Sequence, residues 1–234
     1  MLSKLNLGSS VLSQYLDFSE VKWEKMQEAT IETIGMTIGS VVIIFFAGLL
    51  LGLLLYETNG KNTVAAKVLY RLVAILVNVF RSIPFIILIV LLLPVTKTLV
   101  GSITGPTAAL PALIIASAPF FARLVEIGFR EIDKGVIEAA EAMGASKWQI
   151  IYKVLIPESL PAIVSGITVT TISLVGYTAM AGVIGAGGLG NLAYLDGFQR
   201  NQSTVVLVAT LIILVIVFII QAIGDVIVKK VDKR

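Results

Sequence analysis

The sequence predicts an all-α integral membrane protein with five membrane-spanning helices, and three observations lead to this fold class. Charged residues make up only 14% of the 234 residues and hydrophobic residues 57%, whereas a soluble domain has about 25% charged residues. Four uncharged stretches are each long enough to cross a bilayer as a helix, which takes about 20 residues. Leu, Ile and Val dominate these stretches without the strict alternation of a membrane-spanning strand.

The chain begins with a mixed segment, residues 1–30, in which Trp23 and Met26 stand among charged residues. We expect an external lead-in that lies along the membrane surface, and a loosely ordered terminus is the alternative. A transmembrane domain over residues 31–228 follows, and a tail of residues 229–234 ends the chain. The predicted spans of this domain are 34–56, 72–96, 107–122, 161–182 and 204–225.

The spans differ in sequence character, and these differences predict how they pack. The first and fifth are dominated by large apolar residues, and the second is interrupted only by Arg81. The third and fourth are rich in Gly, Ala, Ser and Thr, which is typical of faces where helices approach closely in lipid. Prolines such as Pro84 and Pro161 remove backbone donors and tend to kink or end helices. We therefore expect irregular helices that pack around another part of the protein, rather than straight and separate helices.

Positive charge predicts the orientation of these spans, because cytoplasmic loops carry an excess of Lys and Arg. Twelve Lys and Arg residues lie in the linkers 57–71 and 123–160 and in the tail, against five in the N-terminal segment and the other two linkers. Five spans place the termini on opposite sides. The N-terminus is therefore predicted outside, and the tail and the large loop 123–160 in the cytoplasm.

Several functional classes are disfavoured by composition and motif context. The chain has no His and no Cys, which removes His ligands, disulfides and the usual serine protease chemistry, and no metal site is predicted. The GAGGLG run at 185–190 matches a dinucleotide-binding pattern, but no soluble βαβ unit surrounds it, so a tight external loop is expected. Gly60-Lys61 is followed by Asn62, so there is no P-loop. No nucleic-acid partner is predicted.

A small set of span residues is a candidate for a translocation pathway. Arg81 is the one charge inside a predicted span, and intramembrane charges are often functional. Its partner could be a substrate carboxylate or a carbonyl freed near Pro84, and Ser82 lies between them. Alternatively, Arg81 reaches the headgroups because its span begins later. Tyr177 and Met180 project from small residues of the fourth span and could form a gate, or simply pack between helices.

The charged run EAAEAMGASKWQIIYKVLIP, residues 138–157, stands out in the large loop. It predicts two short amphipathic helices with a bend at Gly144. One interpretation is a connector at the membrane surface. The other is a docking element for a cytoplasmic partner, and the small side chains of Ala139 and Ala140 suit a close approach to it.

This run resembles the EAA loop of ABC importer permeases, whose pattern is E-A-A, three residues, G, nine residues, then I-x-L-P. The chain has Glu138-Ala139-Ala140, then Gly144, then Val154-Leu155-Ile156-Pro157, so only two aliphatic positions depart from it. The stretches FRSIPFIILIVLLLP (80–94), APFFARLVE (118–126) and LVGYTAMAGVIGAGGLGNLAY (174–194) resemble the methionine importer branch of that family. The residues that the resemblance assigns to coupling with the ATPase are Glu138, Ala139, Ala140, Met143, Gly144, Ala145, Val154, Ile156 and Pro157.

The resemblance implies the type I importer transmembrane domain, working as a homodimer in a bacterial cell membrane. It implies two ATP-binding subunits as partners, which hold ATP and Mg, and an external substrate-binding lipoprotein. This chain would then bind no cofactor and catalyse no reaction. The implied cargo is methionine, as one or both enantiomers. An importer permease for another small amino acid, or a transporter that works without ATP, are the alternatives.

Overall fold

The computed structural model describes Tyr15 and residues 17 to 232, and these are helical nearly throughout, with no strand among them. The α-helices are α1 (Trp23–Thr58), α2 (Val64–Ser82), α3 (Phe85–Leu91), α4 (Leu93–Val100), α5 (Pro106–Arg130), α6 (Lys134–Ala142), α7 (Lys147–Ile150), α8 (Ile156–Val183), α9 (Gly188–Leu192) and α10 (Ser203–Val231). Two π-helical segments, Ile151–Leu155 and Ala193–Phe198, join α7 to α8 and follow α9. The all-α prediction is confirmed.

Four continuous helical stretches of the described residues are long and apolar enough to cross a membrane: α1, α5, the stretch Lys147–Val183, and α10. The bent pair α2 and α3 raises the number to five if it counts as one span. This agrees with the five apolar segments predicted from the sequence. The ends of the helices, and the form of the second span, differ from prediction.

The first helix begins at Trp23 rather than at residue 34. Met26, Ala29, Thr33 and Met36 are buried, and they recur at spacings of three and four residues, which places them on one face of a helix. Glu24 and Glu28 are exposed on the other side, while Lys25 and Glu32 flank the buried face. Residues 23–30 of the predicted lead-in are therefore part of the first helix, while residues 1–14 and 16 lie outside the described part of the chain.

The second predicted span, 72–96, is not one straight helix. Helix α2 ends at Ser82, Ile83 is extended (φ −81°, ψ 125°), and the chain bends by 108° before α3. Pro84 explains the break, because its ring disfavours helical geometry at the preceding residue and it has no N–H to donate. The helical chain then continues as α3 and α4, which ends at Val100 with Gly101 as its C-cap.

The third and fourth helices extend well into the predicted loop 123–160. Helix α5 continues to Arg130 instead of ending at residue 122, and the fourth helical stretch begins at Lys147 instead of residue 161. The segment between the two spans is thus 131–146. Helix α10 likewise runs to Val231 and includes Lys229 and Lys230 of the predicted tail, whose residues 233 and 234 lie outside the described part.

The chain divides into two compact units. The first contains residues up to Ser40, Phe85–Leu113 and Ser173–Ile219; its core includes Met26, Leu189 and Ala209. The second contains Val41–Pro84, Ile114–Ile172 and Ile220 onward. Within the second unit α1 packs tightly on α5, since a Cβ at Gly52 would lie 2.7 Å from the carbonyl oxygen of Ala122.

Candidate functional site

The segment between the third and fourth long helices forms a capped helix and a tight turn. The Asp133 side chain accepts a hydrogen bond from the N–H of Gly135 (2.7 Å) and caps the start of α6. At the end of α6 the N–H of Gly144 donates to the carbonyl of Glu141 (2.9 Å) and that of Ala145 to Ala140 (3.0 Å). This pair of bonds is a Schellman motif, which requires a left-handed residue at its turn. Gly144 supplies it with φ +80°, at the position where the sequence predicts a bend.

A second cap starts the fourth long helix directly after the turn. The Ser146 side chain accepts from the N–H of Gln149 (3.4 Å), and the Gln149 side chain accepts from the N–H of Ser146 (2.7 Å). This reciprocal pair is a capping box. From Lys147 the chain is helical without interruption to Val183, through the π-helical segment at 151–155. The predicted second short helix is therefore the first turn of a membrane-spanning one.

Large apolar side chains are exposed on both sides of this turn. Met143 is 83% exposed, Trp148 74% and Tyr152 54%. On α6 the exposed residues Val136 and Ala139 lie on the same face as Met143, because they are three and four residues apart. Aromatic residues and Met are enriched where proteins bind other proteins. We define the docking face as Val136, Ala139, Met143, Trp148 and Tyr152.

The coupling residues assigned by the resemblance lie in two different environments. Glu138, Ala139, Met143 and Gly144 are exposed, Ala145 is half-buried, and Ala140 is buried within this chain. The second group consists of Val154, Ile156 and Pro157, which are half-buried where the π-helical segment joins α8. The exposed members of the motif thus all lie in its first half, and the second half lies at the base of the long helix. Trp148 and Tyr152 belong to the docking face although the motif does not include them.

A buried carboxylate lies near the end of α5, where the sequence predicts a loop. Glu126 is 0% exposed, and its two oxygens accept hydrogen bonds from Arg123 and Arg130, both at 2.5 Å. The arginines stand three residues before and four after it, so all three share one face. Glu126 therefore lies in a helix, and the predicted loop that begins at residue 123 is wrong at this position. The spacing R-x-x-E-x-x-x-R was the available signal, and the early end assigned to the third span hid it.

The candidate pathway residues belong to separate units, which we describe in turn. In the first unit, Tyr177 is half-buried and stacks on Phe85, with ring centroids 4.6 Å apart and planes within 10°. Met180 is 47% exposed on α8. Val183 and Gly176 are exposed on the same face, at spacings of three and four residues. The packing interpretation thus fits Tyr177, while Met180 faces outward from this chain.

In the second unit Arg81, Ser82 and Pro84 are exposed. The Arg81 guanidinium lies 5.9 Å from the centroid of the Phe120 ring, a distance at which a cation is attracted by an aromatic face. Arg81 also occupies the last turn of α2, where a positive charge is favoured by the helix dipole. The Ser82 hydroxyl donates to the carbonyl of Asn78 (2.8 Å). Arg81 thus has a local aromatic neighbour and a favourable helix end, and its role in the pathway stays a prediction.

The GAGGLG segment forms a tight turn held by α1. The N–H of Gly188 donates to the Glu32 carboxylate (2.6 Å) and that of Leu189 to the Thr33 hydroxyl (2.9 Å). These bonds satisfy two of the N–H groups that lack intrahelical partners at the start of α9. Nearby, Asp196 pairs with Lys25 (3.2 Å) and Arg200 (2.7 Å). The segment therefore has a structural explanation that involves no dinucleotide.

Comparison with known proteins gives concordant results. The chain matches the model of the family "Binding-protein-dependent transport system inner membrane component" over residues 44–233. The methionine import system permease protein MetP of Bacillus subtilis (strain 168) is 58% identical over 217 residues, which cover 93% of this chain and 98% of the relative. The probable D-methionine transport system permease protein MetI of Pasteurella multocida (strain Pm70) is 42% identical, with 91% and 98% covered.

A solved structure is similar over the same length. It is described as "Inward facing conformations of the MetNI methionine ABC transporter: CY5 native crystal form". It matches with a TM-score of 0.87 and 44% identity, and the match covers 90% of this chain and 98% of the other. The helices described above therefore follow the path of a chain from that transporter.

Proposed function

Because the chain belongs to the family of binding-protein-dependent transport system inner membrane components, we propose that it is the permease subunit of an ATP-driven importer of methionine. The observation that carries this function is the similarity over 90% of the chain to a chain of the MetNI methionine ABC transporter. The names of relatives that are 58% and 42% identical support methionine, in the L or the D form, as the cargo. The protein is a multi-pass component of the cell membrane.

The docking face supports a mechanical role for this chain. In the proposed assembly Val136, Met143 and Trp148 dock on an ATP-binding subunit, and Glu138 adds a polar contact at the edge. Displacement of the turn is passed to the long helix that begins at Lys147, because no helical break separates the two.

The assembly that we propose contains two copies of this chain and two ATP-binding subunits. ATP and Mg are held by those subunits, so hydrolysis takes place there and this chain contributes no catalytic group. The exposed face of α8 with Gly176, Met180 and Val183 supports a contact with the second copy, because a small residue such as Gly176 allows helices to approach closely in lipid. An external lipoprotein delivers the cargo to the side on which the N-terminus lies.

Uptake of labelled methionine tests this function. Proteoliposomes that contain the permease, its ATPase and the binding protein should accumulate methionine only when ATP is supplied on the cytoplasmic side. A Trp148→Ala with Met143→Ala variant should lose this uptake, and a matched variant at exposed positions of α10, Phe218→Ala with Leu214→Ala, should retain it. Unlabelled amino acids added in turn as competitors identify the cargo. Accumulation driven by an ion gradient without ATP would contradict the proposal.

A further inference from the structure

A charged cleft of about 580 Å³ lies in the second unit, where three of the long helices end. Its lining includes Glu57 at the end of α1, Arg130 at the end of α5 and Lys147 at the start of α7. Because these residues mark the points where apolar runs give way to charge, the cleft is at the boundary between hydrocarbon and water. A ligand at this depth must have an apolar part that suits hydrocarbon and a polar part that suits water.

The cleft combines positive charge with apolar walls. Lys61, Arg130, Lys134 and Lys147 line it, against the carboxylates of Glu57 and Glu141. Lys61 is paired with Glu57 at 2.9 Å, and Arg130 with the buried Glu126. Lys134 and Lys147 form no ion pair with another residue in 17–232, so positive charge remains available.

The apolar part of the lining comes from Tyr56, Ile137, Ile150 and Leu155. Ile150 and Leu155 are buried, and the Tyr56 ring packs against that of Phe129 at a tilt of 56°, with centroids 5.5 Å apart. A cleft with a basic rim and an aliphatic and aromatic wall fits an amphiphile that carries a negative headgroup. Basic pockets between membrane helices on the cytoplasmic side bind such headgroups.

The cleft is on a different side of α6 from the docking face. Lys134, Ile137 and Glu141 recur at spacings of three and four residues and form one face. Val136, Ala139 and Met143 form the other face at the same spacings. The two sets are offset by two residues, which places them roughly opposite each other around the helix. A partner that covers the docking face therefore leaves the cleft for another occupant.

We propose that this cleft binds the phosphate headgroup of an anionic membrane lipid and thereby links α6 to the membrane. Lys134 and Lys147 pair with the phosphate, and the apolar wall contacts the start of the acyl chains. The proposal rests on the proposed function only in placing this side in the cytoplasm. Lipid retention is measured without ATP or methionine, so its outcome is independent of transport.

The test is native mass spectrometry of the complete transporter with phosphatidylglycerol as the probe. The double variant Lys134→Gln with Lys147→Gln should retain the lipid about fivefold less for each lysine removed. The control Lys229→Gln with Lys230→Gln removes the same charge from the exposed end of α10 and should retain the lipid as the unaltered protein does. Glu141→Gln removes a negative charge from the cleft and should increase retention.

Four results would overturn the proposal. Equal retention by the double variant and the unaltered protein would show that the lysines do not hold the lipid, and equal loss in the control would show a general effect of charge. Equal retention of phosphatidylcholine would show that apolar contact alone suffices. Displacement of the lipid by excess inorganic phosphate would identify a soluble anion as the ligand.

Discussion

Replacement of Gly144 by Ala tests how much the turn contributes to the coupling of ATP hydrolysis to transport. The turn requires φ +80° at this position, and nothing lies within 4 Å of where a Cβ would stand. The substitution therefore introduces backbone strain without a steric clash. The left-handed conformation costs an L-residue about 1–2 kcal/mol, which reduces the population of the native turn about 5- to 30-fold relative to its alternatives. Asn tolerates this conformation better, so Gly144→Asn should lie between Ala and the unaltered protein.

Gly60 provides a matched control for this experiment. It has φ +75° and also has nothing within 4 Å of a Cβ, so Gly60→Ala carries nearly the same strain in a turn outside the docking face. The assay is the ratio of methionine transported to ATP hydrolysed in proteoliposomes. We expect the ratio to fall for Gly144→Ala and to be unchanged for Gly60→Ala. A normal ratio for Gly144→Ala, or an equal fall for both variants, would refute the reasoning.

Three further predictions follow from exposure and burial. Trp148→Ala should weaken binding of the ATP-binding subunit by about 30-fold, the scale of an interface hot spot of 2 kcal/mol, and leave the permease's melting temperature unchanged; unaltered co-purification would contradict it. Glu126→Gln should lower the permease's free energy of unfolding by about 1–3 kcal/mol. This is less than the roughly 3–5 kcal/mol for breaking a fully buried pair, because Arg123 and Arg130 are partly exposed. A thermal unfolding curve equal to that of the unaltered protein would show that Glu126 does not stabilise the fold. Met180→Ala should raise ATPase activity without substrate if Met180 closes a gate, and no change would leave packing as its role.

The number and type of spans were predictable, because an apolar run as long as that of α10 indicates a helix that lies in lipid. The bend at Pro84 was harder to predict, because the residues before and after it are similarly hydrophobic. Hydropathy does not show a change in the direction of the chain. The early start of α1 was missed for a related reason: its charged residues lower the mean hydropathy, while Met26 and Ala29 still follow helical spacing. A hydropathy value averaged over a window of residues does not show that one face of a helix is apolar.

The candidate site was also predicted only in part. The E-A-A pattern and Gly144 located the turn, because they depend on local backbone chemistry. The pattern could not separate Ala139, which is exposed, from Ala140, which is buried in this chain. That difference depends on how α6 packs against the rest of its unit. Glu126 escaped detection because its two partners lie one turn away on either side, in residues assigned to a loop.

The charged group at the end of α5 also restricts how that helix can travel. Arg123, Glu126 and Arg130 are paired with one another, but the two guanidinium groups still reach water, being 35% and 42% exposed. A piston movement of one turn toward the bilayer centre would carry these charges into hydrocarbon, at about 2.5–3.5 kcal/mol for each unshielded charge. Tilting or rotation about the same end keeps them at the surface. The triad therefore opposes movement of α5 along its own axis and favours movement by tilting or rotation.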